Sequence, residues 1–68
     1  MASRRVLIRD RLNRALYHLE ETGVYIKEVR MAFEQFGDYY QKYIKLIDAI
    51  ETVLAMGYES LEELKNKI

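Results

Sequence analysis

The chain has no cysteine, no proline and no tryptophan, and its only glycines are at 23, 37 and 57. Lacking cysteine, it can form neither disulfides nor thiolate metal sites, and a reducing compartment, the cytoplasm, is the expected location. The single histidine, His18, leaves no histidine cluster for zinc. Neither sign of charge prevails, since eleven basic residues cancel eleven acidic ones, which argues against bulk electrostatic attraction to nucleic acid. No run approaches the roughly 18 apolar residues a membrane span needs. The basic start Met1-Ala2-Ser3-Arg4-Arg5 is followed by amphipathic, charged sequence, not the apolar stretch of a signal peptide. With 68 residues, there is room for one domain, marginal in stability unless oligomerisation or very regular helix packing supports it.

What the chain does have is a heptad pattern. Ile8, Leu12, Ala15, Leu19, Thr22, Ile26, Val29, Phe33 and Phe36 follow one another at alternating spacings of 4 and 3. This draws an apolar seam along one side of a long helix. The pattern predicts a first helix over about residues 3–36, capped by Ser3. It holds its phase across Gly23, so the helix is expected to continue there despite the glycine. Gly37 reads as a left-handed stop and Asp38 as the N-cap of a second helix, 39–56. Gly57 is expected to end or loosen that helix. Ser60 and Glu63, at capping-box spacing, restart a third over 61–68.

The second half carries a related series, Tyr40, Tyr43, Ile47, Ile50, Leu54, Gly57, Leu61, Leu64 and Ile68. A tight link at Gly37-Asp38 then folds the halves into an antiparallel hairpin. Reflection about that link places Phe33 near Lys42 and Tyr43, Ile26 near Ala49 and Ile50, and Leu12 near Leu61 and Leu64. The expected fold is a single all-α domain whose core is Leu12, Leu19, Ile26, Val29, Phe33, Ile47, Ile50 and Leu54. Tyr17, Val24 and Met31, spaced by seven on nearly the opposite side of the first helix, suggest a second contact face. One hairpin cannot cover both faces. Dimerisation into a four-helix bundle is the expected solution, with another helical protein as the alternative partner.

Nothing points to catalysis, and no catalytic, cofactor or metal residues are expected. There is no Ser-His-Asp or Cys-His set, no Gly-rich phosphate loop and no HExxH or EF-hand spacing. Glu20, Glu21 and Glu28 fall off the seam and read as solvated. Five arginines, Arg4, Arg5, Arg9, Arg11 and Arg14, crowd the first helical turns. Pairing with Glu59, Glu62 and Glu63 across the hairpin would neutralise them; otherwise they are candidates for anion or nucleic-acid contact. Phe33, Phe36, Tyr39, Tyr40 and Tyr43 gather at the hairpin tip, where Phe36 and Tyr39 are the candidate partner contacts. The general form resembles small secretion chaperones and plasmid copy-number regulators, a likeness of shape that assigns no activity. The expected role is that of an adaptor, small regulator or chaperone-like subunit acting through apolar helix faces. The alternative is a nucleic-acid-binding helical dimer.

Overall fold

The computed structural model describes residues 3–68. Three helices follow in order: α1, Arg4–Gln35; α2, Asp38–Gln41; and α3, Ile44–Lys67. Helices α1 and α3 pack side by side as an antiparallel hairpin. Its principal extents are 55 × 17 × 10 Å, so the molecule is a layer one helix thick. The radius of gyration is 16.1 Å, against about 11 Å for a compact domain of this length.

Ser3 caps α1 as expected, its hydroxyl oxygen accepting from the Val6 amide at 3.2 Å. The helix then runs unbroken through Gly23. An added Cβ at Gly23 would meet nothing within 4 Å, so no close neighbour demands glycine there. The Phe36 amide closes the last turn on the Ala32 carbonyl at 3.0 Å.

The turn differs from the sequence expectation. Gly37 has φ 81° and ψ −152°. This is the mirror of extended backbone, open to glycine alone, and not a left-handed helical stop. Gly37 itself occupies the N-cap of α2, and Asp38 is the first helical residue without a side-chain cap. A joint at Lys42 and Tyr43 separates α2 from α3. There the Tyr43 amide bonds the Tyr40 carbonyl at 2.9 Å and the Leu46 amide bonds the Tyr43 carbonyl at 3.0 Å, the tighter spacing of a 3₁₀ turn.

The expected end at Gly57 and restart at Ser60 do not occur: α3 is continuous through both. Gly57 is half-buried beside Leu19 (3.9 Å from an added Cβ to Cδ1), and the helix penalty of one glycine, about 1 kcal/mol, is too small to end a helix that packs on both sides of it. The longer turn also slides the register. Reflection about Gly37-Asp38 would set Glu20 beside Ala55 and Arg30 beside Lys45. Instead Glu20 meets Tyr58, and Arg30 meets Asp48 and Glu51.

Among the described residues, Leu12, Leu16 and Ile47 are buried. The seam facing α3 reads Leu12, Leu16, Leu19, Gly23, Ile26, Arg30 and Phe33, all buried or half-buried. On α3 it reads Ile44, Ile47, Glu51, Leu54, Tyr58, Leu61 and Lys65. Half of the expected seam is therefore present. The other half shifts to one flank: Leu16, Gly23 and Arg30 take the places of Ala15, Thr22 and Val29, and Glu51, Tyr58 and Lys65 those of Ile50, Gly57 and Leu64, with Ala15 and Gly57 still half-buried at the edge of the seam. Val29 and Ile50, expected in the core, are 38% and 42% exposed. The two alternatives share the same 3–4 spacing, so apolar periodicity does not choose between them. The observed rotation buries Leu16 in place of the smaller Ala15 and lets Arg30 and Tyr58 find partners across the seam.

Candidate interaction surface

A two-helix layer has two broad sides, and here they differ in chemistry. The polar side is marked by Arg30. Its Nε donates to Glu51 Oε1 at 3.1 Å, and its terminal nitrogen donates to both Glu51 and Asp48. These bonds, that to Glu51 first, raise the Arg30 pKa further above its ordinary value. On the same side the Tyr58 hydroxyl donates to Glu20 Oε1 at 2.6 Å, a bond that raises the phenol pKa above 10. Lys27, Gly23, Ala55 and Glu51 line a shallow hollow between these two links.

The other side follows from helix geometry. Successive residues turn by about 100°, so Val29 and Ile50, one position before Arg30 and Glu51, fall on the opposite flank of the seam. Because the helices are antiparallel, both steps lead to the same side of the layer. Ile8, Ala15, Thr22, Val29 and Phe36 run along it from α1 at intervals of seven. Leu46, Ile50, Val53 and Leu64 run along it from α3, and Tyr25 stands beside Val29. Of these, the large apolar side chains are all exposed. A shallow depression lined by Ala49, Ile50, Val53 and Leu54 indents this side and is apolar throughout. From Thr22 to the tip, α1 places no charge among Tyr25, Val29 and Phe36.

The stripe of Tyr17, Val24 and Met31 lies on α1 away from α3, with all three exposed. It is one residue wide, and Glu20, Glu21, Lys27 and Glu28 border it. The carboxylate of Glu21, chiefly by hydrogen bonding, raises the Tyr17 phenol pKa. His18 is exposed, its Nδ1 3.8 Å from Glu21. At the tip Phe33 stacks on Tyr40 (centroids 5.1 Å, planes 7° apart), with Tyr43 tilted beside them. Tyr39 meets Tyr40 edge-on at 4.9 Å, and the Lys42 ammonium lies 4.9 Å from the Tyr39 ring centre and 5.2 Å from that of Tyr43. Phe33, Tyr40 and Tyr43 are half-buried and close the end of the hairpin. Phe36 and Tyr39 project outward, 66% and 67% exposed.

Arg4, Arg5, Arg9, Arg11 and Arg14 are all exposed, and the helix splits them. Arg4, Arg11 and Arg14 fall on the apolar side of the seam, Arg5 and Arg9 on the polar side. The expected neutralisation by Glu59, Glu62 and Glu63 does not form. Among the described residues, the ion pairs at this end are Arg14–Asp10 at 3.4 Å and Lys67–Glu63 at 3.3 Å, both within one helix. The register shift and the thinness of the layer leave these carboxylates pointing to solvent. Among the described residues no three histidine or carboxylate side chains converge as metal ligands, and no helix is long and apolar enough to cross a membrane.

Sequence reasoning missed the two-helix apolar side, although half of its signal was in view. Ile8, Ala15, Thr22, Val29 and Phe36 form a seven-residue series that, in the sequence alone, runs together with the buried series Leu12, Leu19, Ile26 and Phe33. Set against known protein families, curated proteins and solved structures, the chain has no match.

Proposed function

We propose that this chain is a non-enzymatic helical interaction module, an adaptor, small regulator or chaperone-like subunit that docks an apolar helix face on a helical partner. One observation carries the reading: the side built from Tyr25, Val29 and Phe36 of α1 with Leu46, Ile50 and Val53 of α3 is apolar, continuous over two helices and open. Scattered exposed apolar residues are ordinary, but a contiguous patch bordered by charge marks an interaction site. The accessible surface supports it. At 5728 Å² it exceeds by about 1,200 Å² the area of a compact monomer of this mass. The Tyr17, Val24 and Met31 stripe is narrower, and stands second as a docking surface.

The test compares two double substitutions. Val29→Glu with Ile50→Glu charges the two-helix side, and Val24→Glu with Met31→Glu charges the stripe. The readouts are solution mass and binding of a hydrophobic fluorescent dye. The reading expects the parent to show self-association or dye binding, and the first pair to abolish whichever is seen while helicity persists. Loss with the second pair alone would move the docking surface to the stripe. No effect from either would refute the reading.

The arginine end favours one second reading, a nucleic-acid-binding helical dimer, because its five guanidinium groups have no partner across the hairpin. Binding to duplex or single strands would then weaken steeply with salt. No binding at low salt eliminates it.

A further inference from the structure

The charges on the apolar side itself are all of one sign. Helix geometry assigns that side the positions 4–32 and 8–36 of α1 and 50–64 and 46–67 of α3, each taken at intervals of seven. Not one of them is aspartate or glutamate. Their charged residues, with His18 neutral, are Arg4, Arg11 and Lys67, exposed and gathered at the open end. Arg14 stands beside them but is held by Asp10, as Lys67 is by Glu63. Arg4 and Arg11 have no ion-pair partner among the described residues. Toward the tip the same side carries Tyr25, Val29, Phe36, Leu46, Ile50 and Val53, without charge. The two stretches are separated lengthwise, since Arg11 and Val29 lie about 27 Å apart along α1.

We infer that the occupant of the apolar side is an amphipathic helix of another protein, apolar along one half and bearing carboxylates on the same face of its other half, laid lengthwise with the acidic end over Arg4 and Arg11. The inference rests on the docking reading above and adds the partner's chemistry and where its two ends lie. A helix of about 28 residues is about 42 Å long, within the 55 Å of the hairpin, and reaches both stretches. Burial of its apolar half supplies the affinity. The charged end, open to solvent, fixes which way the partner lies. A second copy of this chain fits worse, because it brings the same carboxylate-free side. Laid parallel, it sets Arg11 against Arg11; laid antiparallel, it covers Arg4 and Arg11 with apolar side chains and leaves their charge unanswered. A bilayer surface fits worse for a different reason. It is alike along its length, and helices that lie on one carry basic residues beside the apolar stripe, not beyond its end.

Two fluorescent helical peptides of that length test it against the full chain. Both carry leucines at 3–4 spacing along one half; on the same face of the other half, one carries glutamates and the other lysines. Fluorescence anisotropy should show the glutamate peptide binding about tenfold more tightly, an advantage that shrinks as salt rises. Arg4→Glu with Arg11→Glu should reverse the preference. Arg5→Glu with Arg9→Glu, an equal change of charge on the polar side, should leave it in place. Circular dichroism should show all these variants as helical as the parent. Val29→Glu with Ile50→Glu should abolish binding of both peptides. Equal binding of the two peptides, lost in that last variant, would overturn the inference and leave the docking reading standing. A preference that survives Arg4→Glu with Arg11→Glu, or that the polar-side pair removes as well, would overturn it too. So would a parent dimer that Val29→Glu with Ile50→Glu dissociates, or tighter binding to phosphatidylserine vesicles or single-stranded DNA than to the glutamate peptide. Binding of neither peptide also overturns it, and dye binding that Val29→Glu with Ile50→Glu abolishes would then show the docking reading intact.

Discussion

Arg30 on α1 and Glu51 on α3 meet across the hairpin at seam positions where a closed coiled coil would carry apolar residues. Both are half-buried, and Arg30 also holds Asp48. Removing one member strands the others, whereas replacing both sides by apolar groups of similar size removes the desolvation cost as well. Arg30→Leu alone should therefore lower the melting temperature. Adding Glu51→Leu should restore it to the parent's or above. If the double variant melts lower than the single one, the ion pair is worth more than this argument allows.

Ile47 and Ile50 are one helical turn apart, and the sequence treats them alike. The structure buries the first and exposes the second. Ile47→Ala should cost about 2–4 kcal/mol, much of the total of a chain this short. Ile50→Ala should cost well under half of that in dilute solution. Urea denaturation of both variants checks the order, and equal losses would restore the expected seam.

The glycines divide by backbone. Gly23 is helical with open space around its Cα, so Gly23→Ala should stabilise by about 1 kcal/mol. Gly37, at φ 81°, should lose about 1–3 kcal/mol as alanine. Thermal melts of the two variants should move in opposite directions. A destabilised Gly23→Ala would show that something approaches that helix face closely.

Tyr58 supplies a pH dependence. Its bond to Glu20, followed by burial, lifts the phenol pKa above the ordinary 10.0. The folded state thus holds that proton more tightly than the unfolded chain. Its contribution to stability is full below pH 10 and disappears as the pH rises through the folded value. The melting temperature of the parent should exceed that of Tyr58→Phe at neutral pH, and the gap should close in the alkaline range. A gap that stays constant to high pH would mean the bond is not formed.

Much of the fold is legible in the sequence, because Ser3, the unbroken phase across Gly23 and the two apolar series each speak through local chemistry. The all-α hairpin follows from them. Rotation about the helix axes does not. Leu16 against Ala15 and Glu51 against Ile50 are settled by which side chains find partners 20 to 40 residues away, which no local spacing contains. The same limit hid the two-helix apolar side, since that side is defined only once Arg30 and Glu51 show which flank is polar. The end expected at Gly57 failed for a related reason. A glycine's helix penalty of about 1 kcal/mol is smaller than the packing that continues on both sides of it.

A layer one helix thick has no interior for amides to hide in. Separating α1 from α3 exposes the inner side of both at once, so the amides in the middle of the two helices should exchange with solvent deuterium through a single opening event. Binding of any partner would then slow exchange along the whole hairpin together. A deuterium footprint on this protein would report that binding occurred and how strongly, but it would not outline where the partner sits.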